Sequence, residues 1–356
     1  MAELVRDSIG RERADFPAPF LSVIVPVYNS QTELKHCLAA LAKSHYEDFE
    51  VWVVDDGSTV PIKPLVDAYA FGFSRIHCPS GPACARNRGV QRARGRYVVF
   101  IDADVCVHHD TLALFAEAFG RDPTVDAVVG CYDDAPDCPD FISQYKNLFH
   151  HYVHQNNRGE IQTFWSGCGA IKRDVFLTFG GYDQQRYRRP ACEDIELGMR
   201  IVAAGHYIIL DPRIQAQHLK RWTFWNLLRT DVFDRGVPWT RLMLESGAMI
   251  STLNVTPVQR LSVALVYLTL LGMLTSALEP AMLTVATATA LIATLFNLDL
   301  YRFYLKRRGF WFTLRVIPMH WVYLLCCGLS VGGGTLLHLL KREQASRRSF
   351  RMADET

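Results

Sequence analysis

The sequence lacks several features that would assign it to a class at once. Residues 1–19 are polar and charged, and they contain no apolar run of the kind that forms a secretory signal peptide. The 10 cysteines are scattered, and they form neither a Cys-x-x-Cys pair nor the Cys/His spacing of a zinc site. We find neither an internal repeat nor a low-complexity segment. We therefore expect free thiols and no disulfide, an N-terminal part that stays in the cytoplasm, and no nucleic-acid partner.

A net charge of one sign is also missing, since the total is only +2, but the charges are unevenly placed. Residues 258–340 are mostly apolar, and basic residues flank the apolar blocks, as is typical of cytoplasmic membrane flanks. The segments 258–278, 281–298 and 318–340 are each close to the length that crosses a bilayer as a helix. Buried core helices are the alternative, but three such runs in series favour membrane insertion. The basic residues are Lys306, Arg307, Arg308, Lys341, Arg342, Arg347, Arg348 and Arg351.

The charge pattern leaves the membrane topology open. Two crossings return the chain to the cytoplasm at the basic end of the aromatic, basic stretch 301–315, which has the composition of an interfacial helix. A third crossing would then place the basic tail, 341–356, on the outer side. Alternatively, the last block, which contains Gly332, Gly333 and Gly334, enters the membrane without crossing. We expect about three transmembrane helices within 258–340, because the last block is long enough to cross.

The N-terminal two thirds alternate short apolar strands with helical segments. This order predicts an α/β domain with a mixed, mostly parallel sheet flanked by helices, which is followed by an α-helical membrane domain. Residues 223–257 are amphipathic and are expected to form a partly interfacial connector between the two. The predicted strands are 21–26, 50–54, 75–76, 97–101 and 127–130, and the predicted helices are 32–42, 62–71, 83–93 and 110–119.

Acidic side chains follow two of the predicted strands. Asp102 and Asp104 come directly after an apolar strand, and Asp55 and Asp56 follow another. Residues i and i+2 of a strand lie on one face, and open α/β sheets bind ligands at the carboxyl ends of their strands. Paired carboxylates there suit Mg²⁺ or Mn²⁺ shared with substrate phosphates, although Asp is also common in ordinary turns. Together with the polar loop 26–29, these residues predict a nucleotide site.

Seven short motifs, taken in order, resemble the family 2 glycosyltransferases of the GT-A fold. The resemblance covers about residues 20–222. It implies inverting transfer of one sugar from a nucleoside-diphosphate sugar, with UDP favoured, to a lipid or lipid-linked acceptor in a metal-dependent reaction. The motifs are Val23–Asn29, Val53–Ser58, Ala85–Gly89, Phe100–Asp104, Gly180–Asp183, Glu193–Arg200 and His218.

The resemblance also implies roles for individual residues. Asp194 would be the general base that takes the proton of the acceptor hydroxyl. Asp104, Asp102 and His218 would hold Mg²⁺ or Mn²⁺. Against this, the acidic segment that contains Asp194 is also typical of a helix's first turn, and a lone histidine is usually structural. The residues expected at the donor nucleotide are Pro26, Tyr28, Asn29, Asp55, Asp56, Arg86, Asn87, Asp102 and Ala103.

Further residues are expected near the acceptor or the sugar. Gly167 and Cys168 lie in a glycine-rich segment that we expect to form a loop against the ligand, with no nucleophilic role for the thiol. Arg189, with its basic neighbours, predicts either a phosphate clamp or a mobile lid. The complete set expected near acceptor or sugar is Gly167, Cys168, Arg189, Glu193, Arg221 and Trp222.

One departure from processive relatives bears on function. Cellulose- and hyaluronan-synthase-like members carry a Gln-x-x-Arg-Trp motif, whereas here Gln217 precedes Arg221 and Trp222 by one residue too many. A processive polysaccharide synthase is therefore the alternative rather than the leading hypothesis. A non-catalytic sugar-nucleotide-binding scaffold and a nucleotidyltransferase are further alternatives. We expect an integral protein of a bacterial inner membrane, whereas the sugar, the acceptor and the oligomeric state stay open.

Overall fold

The computed structural model describes the backbone of residues 17–354 and the side chains of residues 17–343. The predicted polar leader, apart from its last three residues, lies outside the described residues, as do the side chains of most of the basic tail. Within this part, one sheet forms the centre of the first domain. Its strands are β1 Leu21–Val27, β2 Phe49–Asp55, β3 Gly72–Arg75, β4 Tyr97–Ile101, β5 Val105–Val107, β6 Val125–Tyr132, β7 Gly159–Glu160, β8 Cys168–Lys172 and β9 Tyr207–His218.

The sheet is mixed and mostly parallel, as predicted. The strand order is β3-β2-β1-β4-β8-β6-β9-β5, and β7 pairs with β9. The first four strands in this order are parallel to one another, and β6 is parallel to β9. β8 is antiparallel to both of its neighbours, and β5 is antiparallel to β9. The carboxyl ends of β1, β2 and β4 therefore lie side by side at one edge.

Helices cover both faces of the sheet, because successive strand side chains point to opposite faces. Val23 and Val25 of β1 join the core formed with α1 and α4, whereas Ile24 joins the core formed with α3 and α7. Gly89 allows α3 to approach β1, since a Cβ at this position would lie 2.3 Å from Ile24 Cγ2. The helices of this domain are α1 Gln31–Leu41, α2 Lys63–Asp67, α3 Pro82–Arg92, α4 Thr111–Arg121, α5 Phe141–Gln155, α6 Arg173–Thr178 and α7 Glu193–Ala203.

A helical region follows the sheet and packs on α5. Tyr145 and Phe149 of α5 lie in a third apolar core with Trp222, Tyr304 and Tyr323. The Tyr304 hydroxyl donates a hydrogen bond to the Tyr145 carbonyl at 2.6 Å. The elements of this helical region are α8 Phe224–Arg229, a π-helix Thr230–Gly236, α9 Val237–Ser246, a 3₁₀ turn Leu253–Val255, α10 Pro257–Thr275, α11 Ala281–Phe296, α12 Leu298–Arg308 and α13 Phe310–Asp354.

Two helices are long and apolar enough to cross a membrane, namely α10 and residues 310–343 of α13. α11 and α12 are bent by 58° and would make a third span only if counted together. The prediction of one interfacial helix over 301–315 is wrong, because two helices share this stretch. Gly309, with φ 81°, separates α12 from α13 within that stretch.

Candidate active site

Polar loops meet at the edge where β1, β2 and β4 end. Val27 at the end of β1 pairs with Asp55 at the end of β2, and Asp102 directly follows β4. The Asn29 backbone N–H donates to the Ser58 hydroxyl at 3.0 Å, which ties the loop after β1 to the loop after β2. Asn29 has a left-handed backbone with φ 53°, a conformation that Asn adopts more readily than most residues. The structure thus brings together the strand ends that the sequence predicted to meet.

The two aspartates after β2 both hold backbone segments in place. Asp55 is fully buried, with Arg75 Nε 3.6 Å from its Oδ2. Asp56 accepts hydrogen bonds from the backbone N–H groups of Ser80 at 2.9 Å and Gly81 at 2.8 Å. Burial raises the pKa of Asp56, although these hydrogen bonds oppose the rise. Their expected contacts with nucleobase and ribose stay predictions.

Three further residues were predicted at the nucleotide. Tyr28 is 49% exposed at the sheet edge and is free to stack on a planar ligand. Pro26 lies inside β1 and pairs with Val54, and Ala103 is buried between the two aspartates that follow β4. Neither of these two side chains therefore faces an open surface.

Arg86 is a buried bridge between two acidic segments. Its guanidinium donates to Asp102 Oδ1 at 2.7 Å and to Glu193 Oε1 at 2.8 Å. Burial opposes the charge of Arg86, but the two carboxylates outweigh it and raise the pKa of Arg86. Burial also raises the pKa values of Asp102 and Glu193, against the attraction of Arg86. Arg86 and Glu193 both line the cavity, and their expected contacts with donor and acceptor stay predictions.

Asp104 and His218 form the part of the predicted metal site that the structure brings together. His218 Nε2 lies 3.5 Å from Asp104 Oδ2. The other ring nitrogen, Nδ1, lies 2.7 Å from Asn147 Oδ1, which can only accept, so Nδ1 carries the proton. Nε2 is therefore the ring nitrogen of His218 that faces Asp104. Burial raises the pKa of Asp104, but the interactions with His218 and Lys220 outweigh it, and the net shift is downward.

The predicted third ligand, Asp102, is turned to Arg86 instead. Among residues 17–343, no group of three or more His, Cys, Asp and Glu side chains has the arrangement of a metal site. The complete three-residue ligand set is therefore corrected to a pair. Two protein ligands still fit a hard divalent cation that takes its other oxygens from phosphate and water.

Asp194 lies in the first turn of α7, where its carboxylate is oriented by Ser166. Oδ2 accepts hydrogen bonds from the Ser166 backbone N–H at 3.0 Å and from the Ser166 hydroxyl at 3.1 Å. Glu193, the residue before it, is fixed by Arg86. Asp194 is thus oriented by Ser166, and the helix turn that carries it is held by the ion pair of Glu193 with Arg86. Ser166 and Glu193 line the same cavity as Asp194.

That cavity extends from the strand ends to the apolar helices, with a volume of about 1190 Å³. Asp102, Asp194 and Arg189 are among the residues that line it, and the expected role of Arg189 stays a prediction. Val263 of α10 and Val331 of α13 line the opposite part. One continuous space therefore joins the acidic residues to the helices that are candidates for membrane insertion.

Comparison with known proteins identifies the domain. The family model described as glycosyl transferase family 2 matches residues 22–179. Residues 22–179 belong to glycosyl transferase family 2. The match contains β1 to β8 and the acidic residues after β2 and β4, whereas Asp194, His218 and the apolar helices lie beyond it. We call residues 22–222 the family 2 domain.

Curated relatives match about a quarter to a third of the chain. The glycosyltransferase GlyG of Streptococcus pneumoniae is 31% identical over 118 residues, which are 32% of this chain and 38% of GlyG. The putative teichuronic acid biosynthesis glycosyltransferase TuaG of Bacillus subtilis is 35% identical over 91 residues, or 24% of this chain and 36% of TuaG. The chain thus matches little more than a third of the length of either relative.

A solved structure extends the likeness of fold along nearly the whole chain. The mannosyltransferase PcManGT of Pyrobaculum calidifontis, in complex with GDP-Man and Mn²⁺, has a TM-score of 0.55 and 19% identity. The likeness covers 92% of this chain and 94% of that one. The predicted GT-A fold, with its mixed sheet followed by helices, is confirmed.

The end of the family 2 domain departs from the sequence-based assignment. Arg221, predicted at the acceptor, is 78% exposed and points to the outer surface near Asp140. Trp222 is buried among apolar residues of the third core and does not line the cavity. Lys220 lines the cavity instead, with its Nζ 4.4 Å from the centre of the Trp222 ring. Lys220 is therefore the basic residue of this segment that lines the cavity, in place of the predicted Arg221.

The glycine-rich segment is not a ligand loop. Cys168 begins β8 and is fully buried, and burial raises the pKa of its thiol. A Cβ at Gly167 would lie 2.4 Å from the ring of Trp165, so this glycine makes room for a neighbour. Asn87 also lacks the predicted donor role, because its amide bonds the backbone of Tyr182 at 2.8 Å and 3.0 Å. These three predictions are corrected.

Several cavity residues were missed from the sequence. Lys146 of α5 and Asp231 of the π-helix form a buried ion pair at 2.6 Å. Arg235 lines the same space one turn further on. Basic residues inside otherwise apolar, helix-forming segments were the available signal, but periodicity alone does not tell an inward cation from a solvated one.

Proposed function

We propose that the protein is a membrane-anchored, inverting glycosyltransferase that moves one sugar from a nucleoside-diphosphate sugar to a lipid or lipid-linked acceptor. One observation carries the proposal. The carboxylate of Asp194 lies in a cavity that also contains Asp102 of the strand-end cluster and reaches α10 and α13. A donor at the sheet edge and an acceptor with an apolar tail would meet at this carboxylate.

In the proposed reaction, Asp194 is the general base. The acceptor oxygen attacks the anomeric carbon, the bond from that carbon to the diphosphate oxygen breaks, and the hydroxyl proton passes to Asp194. Attack from the face opposite the leaving group inverts the configuration. The two hydrogen bonds from Ser166 occupy Oδ2, so they fix the direction in which the carboxylate faces the acceptor.

The donor would bind at the ends of β1, β2 and β4. Asp104 and His218 would hold Mg²⁺ or Mn²⁺, which supplies positive charge that stabilises the departing diphosphate. The contact of Nδ1 with Asn147 leaves Nε2 of His218 facing Asp104, which suits this role. UDP is the donor nucleotide that we expect, and GDP is the alternative suggested by the GDP-Man complex of the archaeal neighbour.

The membrane attachment follows from α10 and α13, whose apolar faces are widely exposed. Leu271 and Leu274 of α10 and Leu336 and Leu339 of α13 are each more than half exposed. Such a surface suits contact with lipid acyl chains. We place the family 2 domain on the cytoplasmic side of a bacterial inner membrane.

The first experiment measures thermal stabilisation of the detergent-purified protein by UDP, GDP, CDP and dTDP, each with Mn²⁺ or with EDTA. A nucleotide at about 100 times its Kd adds about 2.7 kcal/mol of stability. We expect stabilisation by one nucleotide with Mn²⁺, and its loss in Asp104→Asn. No stabilisation by any nucleotide would contradict the proposal.

A second variant separates binding from chemistry. Asp194→Asn keeps the hydrogen bonds to Ser166 but cannot accept the proton. We expect its nucleotide-dependent stabilisation to match wild type, and its transfer rate to fall by about 10²–10⁴-fold. An Asp194→Asn protein that transfers sugar at the wild-type rate would remove the base assignment without removing the donor site.

A further inference from the structure

The large cavity carries a surplus of positive charge. Seven cationic side chains and five carboxylates line it, all within the described part of the chain. A ligand that enters this space therefore meets a net positive wall, which favours an anion. The cations are Arg86, Lys146, Arg189, Lys220, Arg229, Arg235 and Arg260, and the carboxylates are Asp102, Glu193, Asp194, Asp231 and Asp234.

Internal ion pairs account for most of the carboxylates. Arg86 binds Asp102 and Glu193, and Lys146 binds Asp231. Arg260 donates to a backbone carbonyl near the start of α10. These three cations are therefore already neutralised or hydrogen-bonded by the protein itself.

Lys220 and Arg235 are different. Across residues 17–343, neither the Lys220 ammonium nor the Arg235 guanidinium has a hydrogen-bond or ion-pair acceptor. Both side chains are only partly exposed. A half-buried cation without an acceptor loses hydration, and the contact of Lys220 with the Trp222 ring supplies no hydrogen-bond acceptor, so an anionic ligand would offset the cost.

The position of the two cations indicates what the ligand is. Arg235 belongs to the π-helix, a rare element that occurs often at functional sites, and Gly236 beside it packs against Ser330 of α13. The wall beyond these residues is apolar and is formed by Tyr267 of α10 and Gly328 and Val331 of α13. A polar anionic group would thus lie next to a space suited to an apolar chain.

We propose that Lys220 and Arg235 bind the phosphate group of a phosphorylated lipid acceptor, whose apolar chain lies between α10 and α13. The proposal rests on the proposed function for the statement that this ligand is the acceptor, but the binding itself does not depend on transfer. The guanidinium offers paired donors to phosphate oxygens, and the ammonium adds a second positive charge.

The donor diphosphate is the main competitor for the same cations, because Lys220 lies near Asp104. Soluble phosphate and a bilayer phospholipid share the same chemistry. Arg235 therefore carries the test. All lipid-binding measurements are made with EDTA and without donor, so that the Asp104 and His218 pair makes no metal-dependent contribution, and Mn²⁺-nucleotide binding is measured separately.

The test measures thermal stabilisation of the detergent-purified full chain by a long-chain polyisoprenyl monophosphate. The parallel probes are the polyisoprenol of the same chain, inorganic phosphate and phosphatidylglycerol. We expect stabilisation by the monophosphate alone, and an apparent Kd that rises about tenfold or more in Arg235→Gln. Arg235→Lys, which keeps the charge, should lose less. Arg302→Gln, at an exposed arginine outside the cavity, is the control and should leave the Kd unchanged.

Other outcomes would overturn the proposal in distinct ways. Equal stabilisation by the polyisoprenol would show that only the apolar chain is bound. Equal stabilisation by inorganic phosphate or phosphatidylglycerol would remove the acceptor specificity. If Arg235→Gln weakens Mn²⁺-nucleotide binding as much as lipid-phosphate binding, the cations serve the donor. Lipid-phosphate binding without any nucleotide binding would contradict the proposed function and leave this site standing.

Discussion

At the scale of single residues, Arg86 has the most demanding position. It neutralises Asp102 and Glu193, which come from segments far apart in the sequence, and it lies in a site with little solvent. The residue therefore joins the strand-end cluster to the helix that carries the base candidate. Its removal would leave the buried carboxylate of Glu193 without a counter-ion and the partly exposed carboxylate of Asp102 without its ion-pair partner.

We predict that Arg86→Gln lowers the free energy of unfolding by about 3–5 kcal/mol, as expected when one partner of a buried ion pair is removed. The measurement is chemical denaturation in detergent. Arg88→Gln, two residues along α3 at an exposed position, is the matched control and should change stability by less than about 0.5 kcal/mol. Equal effects of the two substitutions would show that the ion pairs of Arg86 contribute no more to the free energy of unfolding than an exposed arginine does.

A second prediction at this scale concerns acid sensitivity. Burial of the imidazole lowers the pKa of His154 to about 4. The unfolded chain binds a proton at this residue below about pH 6.5, whereas the folded protein stays neutral there down to about pH 4. Stability is therefore lost as the pH falls through this window, by about 1.4 kcal/mol per pH unit for this residue. Burial also lowers the pKa of His150, which adds to the effect.

The check is the free energy of unfolding measured between pH 7 and about pH 4.5, a range taken from the shifted pKa. His154→Gln should flatten the acid slope, because glutamine does not titrate. A variant with the same slope as wild type would show that other groups cause the acid loss.

At the scale of elements, a glycine run in α13 permits the helix to dock on α9. A Cβ at Gly334 would lie 2.6 Å from Thr240 Cβ and 3.1 Å from the Val237 carbonyl oxygen. A Cβ at Gly332, half a turn earlier, would meet no atom within 4 Å. Gly334 therefore permits close packing of α13 on α9, whereas a side chain at Gly332 would meet no neighbour.

We predict opposite signs for alanine at these two positions. Gly332→Ala should stabilise by about 0.5–1 kcal/mol, because alanine loses less conformational freedom in a helix. Gly334→Ala should destabilise by about 1–3 kcal/mol, because backbone of α9 is in the way. The midpoint of thermal unfolding in detergent measures both. Stabilisation by both substitutions would mean that α13 and α9 do not pack as described.

The elements also show how far the sequence could predict the structure. Alternation of apolar strands and helices predicted β1, β2, β4, β6 and the helices between them, because such local patterns decide local structure. β8 was missed because its glycines and Cys168 resemble a loop, and only its place between β4 and β6 makes it a strand. Lys220 was missed for a different reason. The chain is irregular after β9, so a strand pattern does not predict which of the consecutive basic residues Lys220 and Arg221 faces the cavity.

At the scale of the whole molecule, the third apolar core joins the family 2 domain to the helices. Phe312 at the start of α13 packs on Phe141 of α5, with ring centres 5.0 Å apart. At the other end, Lys341 Nζ lies 3.3 Å from Glu245, which also binds Arg186 of the family 2 domain at 2.7 Å. One end of the apolar part of α13 therefore contacts the family 2 domain directly, and the other end contacts Glu245, which is itself bound to that domain.

This arrangement bears on the expected third crossing. A helix that crosses the bilayer has its ends on opposite sides, about 30 Å apart. Residues 310–343 are long enough for this, but the contacts at both ends favour a helix that lies along the membrane surface under the family 2 domain. The hairpin of α10 and α11 is then the part that enters the bilayer.

We predict that the basic tail is on the same side of the membrane as the family 2 domain, in contrast to the third crossing that hydropathy favours. The test is labelling of Ala345→Cys by a membrane-impermeant maleimide in inside-out and right-side-out vesicles, with the exposed Cys78 replaced by Ser. Ser276→Cys, between α10 and α11, is the matched comparison. Ala345→Cys should be labelled in inside-out vesicles, because the Lys341 and Glu245 pair keeps the end of α13 beside the family 2 domain. Labelling of Ala345→Cys only in right-side-out vesicles would establish the third crossing, and the ion pair would then have to break in the membrane.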